Sequence, residues 1–278
     1  MDEVLITKAI MESYFKDFLE YTDVDVAVVG AGPSGLAASY YLAKKGIKTA
    51  IIERRLSVGG GMWGGGMMFN RIVVQTEAKG ILDEFGVRSQ EFQEGYYVAD
   101  SVEAVASLCC SSLKAGAHIF NLITVEDVMI REDDRVTGLV LNWSAVGLAN
   151  LHIDPLTIRS KLVIDATGHE AEVCRIVARK IGPKLATKTG EVIGEKSMWA
   201  EVGERELVAH TGEVYPGLMA TGMAVNAVFG LPRMGAIFGG MLLSGKKAAE
   251  LAIELLKQSH TQQFDTNSGK KAHRKKVG

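Results

Sequence analysis

Val24-Asp25-Val26-Ala27-Val28-Val29-Gly30-Ala31-Gly32-Pro33-Ser34-Gly35-Leu36 opens the stretch that decides the fold, and Ile51-Ile52-Glu53 closes it. Residues 24–29 are a short apolar run, the pattern of a buried parallel strand. Residues 36–45 read as a helix ended by Gly46, a usual C-terminal glycine position. Residues 48–53 read as a second strand, so the three together form one βαβ unit. Gly30, Gly32 and Gly35 make a GxGxxG turn between strand and helix. The motif alone is weak, but here it follows a strand, opens a helix and precedes an acid at the end of the next strand. Gly30 permits the tight turn, Gly32 lets a pyrophosphate approach the backbone, and Gly35 lets helix and strand pack closely. Unpaired N–H groups at the helix start, beside Ser34, attract phosphate. Glu53 is placed to accept hydrogen bonds from ribose hydroxyls and to repel a 2′-phosphate, which favours NAD or FAD over NADP. Arg54 and Arg55 pull against that discrimination.

Outward from this unit, Gly59-Gly60-Gly61-Met62-Trp63-Gly64-Gly65-Gly66 holds six glycines in eight residues. Ordering that much glycine costs entropy, which a ligand packed on the backbone would offset. Met62, Trp63, Met67 and Met68 argue against simple solvent exposure. Residues 3–19 have helical spacing of apolar side chains, and 77–85 and 101–115 also read as helices. Strands are expected at 118–130, 135–143 and 156–160, in part as an antiparallel meander, and again at 161–167 and 218–221. Helices are expected at 170–181 and 235–258. Residues 183–210 show no clear period. The expected fold is α/β: a doubly wound, Rossmann-like dinucleotide-binding fold with a central parallel sheet and an antiparallel meander. It is expected as one domain over 1–260, with a basic, disordered tail over 261–278.

Composition bounds the function. Of 278 residues, 47% are hydrophobic and 23% charged, ordinary values for a globular chain. There are 31 Lys and Arg against 33 Asp and Glu; five of the basic residues and no acid lie in 270–278, so the body of the chain stands at −7. That balance does not suit a nucleic-acid platform. Three cysteines, Cys109, Cys110 and Cys174, show no CxxC spacing, which fits a reducing cytoplasm better than a disulfide or structural zinc framework. The charged N-terminus has no signal-peptide pattern. The 19-residue uncharged run Val214–Pro232 is broken by Pro216, Gly217, Gly222 and Gly230, and reads as buried strand plus loop rather than a membrane span.

The second half carries His152, Asp154, Asp165 and His169 near expected strand ends. Imidazole and carboxylate suit a divalent first-row metal, although the spacing alone does not separate a ligand from a satisfied polar residue. On composition and spacing, FAD and NAD remain nearly tied as the nucleotide.

Six segments together resemble one known family, the thiamine thiazole synthases: GAGPSGL (30–36), IIERR (51–55), GGGMWGGGMMF (59–69), HIDP (152–155), DATGHE (165–170) and LPRMGAIFGGMLLSG (231–245). The resemblance covers roughly residues 5–258. It implies an enzyme that makes an ADP-thiazole, a thiamine precursor, from NAD, glycine and a sulfur source. It implies nucleotide contacts at Ser34, Glu53, Arg54, Gly61, Val125, Met219 and the segment His152-Ile153-Asp154. It also implies Fe(II) ligands at Asp154 and His169, and Arg233 as the holder of the glycine carboxylate. Eukaryotic members carry a sulfur-donating cysteine where this chain has His152. The departure resembles archaeal-type members, which imply free sulfide as the sulfur source and repeated turnover, with His152 in the catalytic segment. The family further implies a homo-octamer with shared active sites. Two other activities stay open at this point: a flavin-dependent oxidoreductase built on the same fingerprint, and a ribulose-bisphosphate-forming isomerase.

Overall fold

The computed structural model describes residues 1–274, with side chains for all of these except Glu132 and 259–274. The tail expected over 261–278 lies outside the residues described with side chains. Asp2 caps the first helix, α1 (Glu3–Glu20), by accepting from the N–H groups of Val4 and Leu5. The fingerprint unit follows as β1 (Asp23–Val29), α2 (Pro33–Ala43) and β2 (Thr49–Glu53). Pro33 sits in the first turn of α2, where its missing N–H costs nothing. Next come β3 (Arg71–Gln75), α3 (Thr76–Glu84), β4 (Ser89–Gln93), β5 (Tyr96–Asp100) and α4 (Ser101–Lys114). The chain continues through β6 (His118–Asn121), β7 (Ile123–Arg131), β8 (Arg135–Trp143), α5 (Ser144–Leu148) and β9 (Leu156–Asp165). It ends with α6 (Glu172–Ile181), α7 (Ala200–His210), β10 (Gly212–Tyr215), β11 (Leu218–Ala220), α8 (Met223–Phe229) and α9 (Gly239–Arg274).

The main sheet runs β10-β11-β9-β1-β2-β6, with β7 and β8 added through β8–β9 pairing. β1 pairs in parallel with both β2 and β9, and β9 pairs in parallel with β11. A parallel sheet needs both faces covered, and its strands then lose the alternating pattern. Val26, Ala27 and Val28 on β1 and Val163 and Ile164 on β9 are all inaccessible to solvent. Helices α2, α4 and α9 pack on one side, with Leu36, Leu42, Leu108 and Leu242 buried between them and the sheet. β7 and β8 form the expected antiparallel meander. A second, three-stranded antiparallel sheet, β3-β5-β4, stands apart.

Four local differences from the sequence reading have physical causes. The strands expected at 156–160 and 161–167 are one strand: the first half of β9 pairs with β8 in the meander, and the whole runs on into the parallel sheet. No glycine or proline separates the halves, so nothing stops the strand. The apolar run Val214–Pro232 contains a helix, α8, whose residues Met223 to Val228 are all buried. A helix buried on every side, with Asn226 its one polar residue, has no period to read. The long helix begins at Gly239, not 235, because Ile237 and Phe238 pair with Val73 of β3. α1 buries no residue, and Ile6, Ile10, Phe15 and Leu19 face outward, while Tyr14 and Phe18 rest against Phe120. No helix among the described residues is long and apolar enough to cross a membrane.

Candidate active site

A cavity of about 550 Å³ opens where the C-terminal ends of β1, β2 and β9 meet, the crevice in which open α/β sheets bind ligands. Its floor is the fingerprint turn. Gly30 has φ +102°, and a Cβ there would lie 2.4 Å from the carbonyl oxygen of Ala166. A Cβ on Gly35 would lie 2.0 Å from the carbonyl oxygen of Gly30. Gly35 therefore stands behind the cavity as the contact between α2 and β1. A Cβ on Gly32 would meet nothing within 4 Å; with Ser34 it faces the open space beside the α2 N-terminus. The glycine-rich loop forms a 3₁₀ turn over Gly60–Gly64. It is tied down by the Gly59 N–H donating to the Ala31 carbonyl at 2.6 Å. Gly60 then crosses Gly32 so closely that a Cβ would sit 3.2 Å from the Gly32 Cα. Gly60 serves this backbone-on-backbone contact, and Gly61 borders the cavity.

Glu53, at the end of β2, is only 7% exposed. Its Oε2 accepts from the Ala31 N–H and its Oε1 from the Arg55 N–H, both at 2.8 Å. A carboxylate has about four acceptor sites, so each oxygen keeps a lone pair for a ligand hydroxyl. The neighbouring Arg54 guanidinium is ion-paired with Glu172 at the start of α6. Burial pushes the Glu172 carboxyl up, against the pull of Arg54. Val125, on β7, closes the same end.

The opposite wall comes from the turn after β9. Asp165 is fully buried and accepts from the Thr167 N–H (3.0 Å), the Thr167 hydroxyl (2.6 Å) and the Cys174 N–H (2.9 Å). Thr167 Oγ1 in turn accepts from the Glu172 N–H at 2.7 Å. This network fixes the start of α6 and carries His169 on a 3₁₀ turn, Gly168–Glu170, to the cavity edge. Arg233 reaches the same edge from the segment between α8 and α9. Between them stands Glu195, 2.8 Å from His169 Nδ1 and 3.8 Å from Arg233 Nε.

One cavity thus gathers Gly30, Gly32, Ser34, Glu53, Arg54, Gly61, Val125, His169 and Arg233. It does not gather all the expected residues. Met219 is fully buried in β11, between β10 and β9. His152, Ile153 and Asp154 are exposed on the segment leading into β9, where the Ile153 carbonyl accepts from Asn142 Nδ2 at 3.0 Å. They do not line the cavity of their own chain. None of the three cysteines lines it either: Cys174 is buried under Asp165, with its thiol pushed well up by burial, and Cys109 and Cys110 are on α4. Sequence reading missed Glu172 and Glu195. Glu172 adjoins the recognised DATGHE segment, whereas Glu195 lies in the aperiodic 183–210 stretch, where only the folded contacts reveal it.

The donor set can be tested against a ferrous ion. His169 has its Nδ1 on a carboxylate, the arrangement that orients metal-ligating histidines and leaves Nε2 to bind. Imidazole and carboxylate suit ferrous iron. Among the described residues no group of three or more His, Cys, Asp or Glu is arranged to hold a metal by itself. Of the two expected ligands, a single chain brings His169, with its Nδ1 held by Glu195, to the cavity, and leaves Asp154 outside it.

The sequence profile of the Thi4 family matches residues 7–238. The chain belongs to the Thi4 family. The thiamine thiazole synthase of Methanothermobacter thermautotrophicus is 60% identical over 257 residues, covering 92% of this chain and 99% of that protein. That of Pyrococcus furiosus is 56% identical over 256 residues, with 92% and 99% coverage. The crystal structure of Thermovibrio ammonificans THI4 superposes with a TM-score of 0.91 at 52% identity, over 92% of this chain and 99% of that one. The Thi4 assignment bears out the resemblance, and the α/β fold with its parallel sheet and antiparallel meander is the one expected; the separate three-stranded sheet adds to it.

Proposed function

We propose that this Thi4 chain is a thiazole synthase that makes an ADP-thiazole from NAD, glycine and sulfide, using Fe(II). The observation that carries the reading is the joining in one cavity of a complete dinucleotide cradle, from Gly30 to Glu53, with His169 and Arg233. A cofactor-binding cradle alone would need neither of the last two.

In this reading the α2 N-terminus and the open backbone at Gly32 hold the pyrophosphate, and Glu53 accepts the adenosine ribose hydroxyls. NAD is consumed: it loses nicotinamide, its ribose carbons condense with glycine, and sulfide closes the ring. Arg233 holds the glycine carboxylate with a planar fork that a lysine could not offer. His169 and Asp154 would hold the iron, which when bound supplies a Lewis acid and a template for the reacting groups. Because Asp154 lies outside its own chain's cavity, a neighbouring copy delivers the segment 152–154, which makes the active assembly a homo-oligomer with shared sites; the family resemblance implies an octamer. His152 cannot give up sulfur, and none of the three cysteines lines the cavity of its own chain, which supports free sulfide as the sulfur source.

The mass of the nucleotide released from purified protein tests the class of ligand. An ADP-thiazole, a glycine adduct of ADP-ribose, or NAD is expected. FAD with a flavin absorption band would replace the reading with a flavin-dependent oxidoreductase.

A further inference from the structure

Glu195 sits in the least patterned stretch of the chain, yet its position is closely determined. Residues 193–196 run beside 227–233: the Gly194 N–H donates to the Ala227 carbonyl at 2.8 Å, the Lys196 N–H to the Leu231 carbonyl at 3.0 Å, and the Arg233 N–H to the Lys196 carbonyl at 3.2 Å. A Cβ on Gly230 would lie 2.6 Å from the Ile193 side chain, so the two segments pack closely against one another. This pairing puts the Glu195 carboxylate, 13% exposed, behind the cavity wall rather than in it. Both of its oxygens face His169 Nδ1, at 2.8 and 2.9 Å. Oε2 also stands 3.8 Å from Arg233 Nε. Among the described residues, this one carboxylate touches the two cavity side chains to which the proposed chemistry is given.

We propose that Glu195 is a positioning residue that sets His169 and Arg233 relative to one another. A carboxylate accepts and does not donate, so the contact places the imidazole proton on Nδ1 and leaves Nε2 as the ligating nitrogen. The same carboxylate faces the Nε edge of the Arg233 guanidinium at ion-pair distance, 3.8 Å, which leaves the two terminal nitrogens for a substrate carboxylate. The proposed metal ligand and carboxylate clamp thus share one charged neighbour that stands outside the cavity lining. The inference rests on the reading of His169 and Arg233 given above.

The test compares wild type, Glu195→Gln, Glu195→Ala and His169→Ala, all as full chains. In apoprotein labelled with ¹⁵N-histidine, His169 is expected as the Nδ1–H tautomer. In Glu195→Ala it shifts toward the Nε2–H form that free imidazole prefers. Co(II), titrated as a spectroscopic probe, should bind Glu195→Gln and Glu195→Ala about 10–100-fold more weakly than wild type. ADP-ribose affinity should stay within about twofold in both, since Glu195 lies behind the wall. The glycine KM should rise while the NAD KM holds. Glu195→Gln keeps the shape and carries the test if the alanine variant folds poorly. An unchanged tautomer together with unchanged Co(II) affinity would overturn the positioning role. If His169→Ala binds Co(II) as wild type does, the metal reading of His169 fails, while the tautomer still decides whether Glu195 orients the ring.

Discussion

Glu204 carries a buried carboxyl that accepts from the Gly240 N–H at 2.5 Å and from Gln75 Nε2 at 2.8 Å, with its second oxygen unpartnered. Burial pushes this carboxyl above its ordinary value, more than the two donors pull it down. An acid whose folded pKa is raised is favoured in its protonated form by folding. Its contribution to stability is full below the unfolded pKa and lost as pH rises through the folded one. Glu204→Gln keeps an acceptor and removes the charge, so it should flatten the thermal-midpoint profile above about pH 4.5. Glu204→Ala should cost about 1–3 kcal/mol by leaving two donors unpaired, measurable by denaturant unfolding. At the cavity floor, Gly35→Ala must push α2 off β1, because the added carbon would lie 2.0 Å from the Gly30 carbonyl. Overpacking of that kind costs about 1–3 kcal/mol, and nucleotide affinity should fall with it; a variant with wild-type melting and NAD affinity would show that the contact relaxes freely. Arg233→Lys should keep NAD binding and lose glycine-dependent condensation, read as glycine KM and product yield. These residues differ in how they could be read. Gly35 belongs to a spaced motif whose physics is local. Glu204 and Glu195 act through partners 36 and 26 residues away in sequence, Gly240 and His169, and no local pattern announces such pairs.

Among the elements, β9 and the turn that follows it do most to place the chemistry. Asp165 satisfies three donors without solvent access, and the turn it fixes presents His169. Asp165→Asn would set a donor against one of those N–H or O–H groups. It should cost about 1–3 kcal/mol and weaken Co(II) binding at His169 more than ADP-ribose binding at the cradle. Equal losses at both sites would show general unfolding instead. The first βαβ unit and the meander were legible from apolar runs and turn residues within ten positions of one another. The second sheet was not: β4 is exposed along most of its length and β3 is only five residues, so neither shows a sustained period. α8 was hidden by being buried on every side, and α7 by having apolar side chains at no regular helical spacing.

At the scale of the whole molecule, the cavity takes its cradle, His169 and Arg233 from one chain and lacks the 152–154 segment. An assembly with shared sites predicts complementation. Asp154→Ala and His169→Ala should each be inactive with NAD still bound. Co-expressed in equal amounts, they should regain about a quarter of wild-type activity, since one random pairing in four unites an intact His169 with an intact Asp154 from its neighbour. No recovery despite mixed assemblies would put both residues in the same chain's site. The most direct measurement of the central claim is an anaerobic assay with NAD, glycine, Fe(II) and sulfide, followed by the intact mass of the protein. More than one ADP-thiazole per chain, with the protein mass unchanged, is the predicted result. No thiazole, or one per chain with the loss of hydrogen sulfide from Cys109, Cys110 or Cys174, would contradict it.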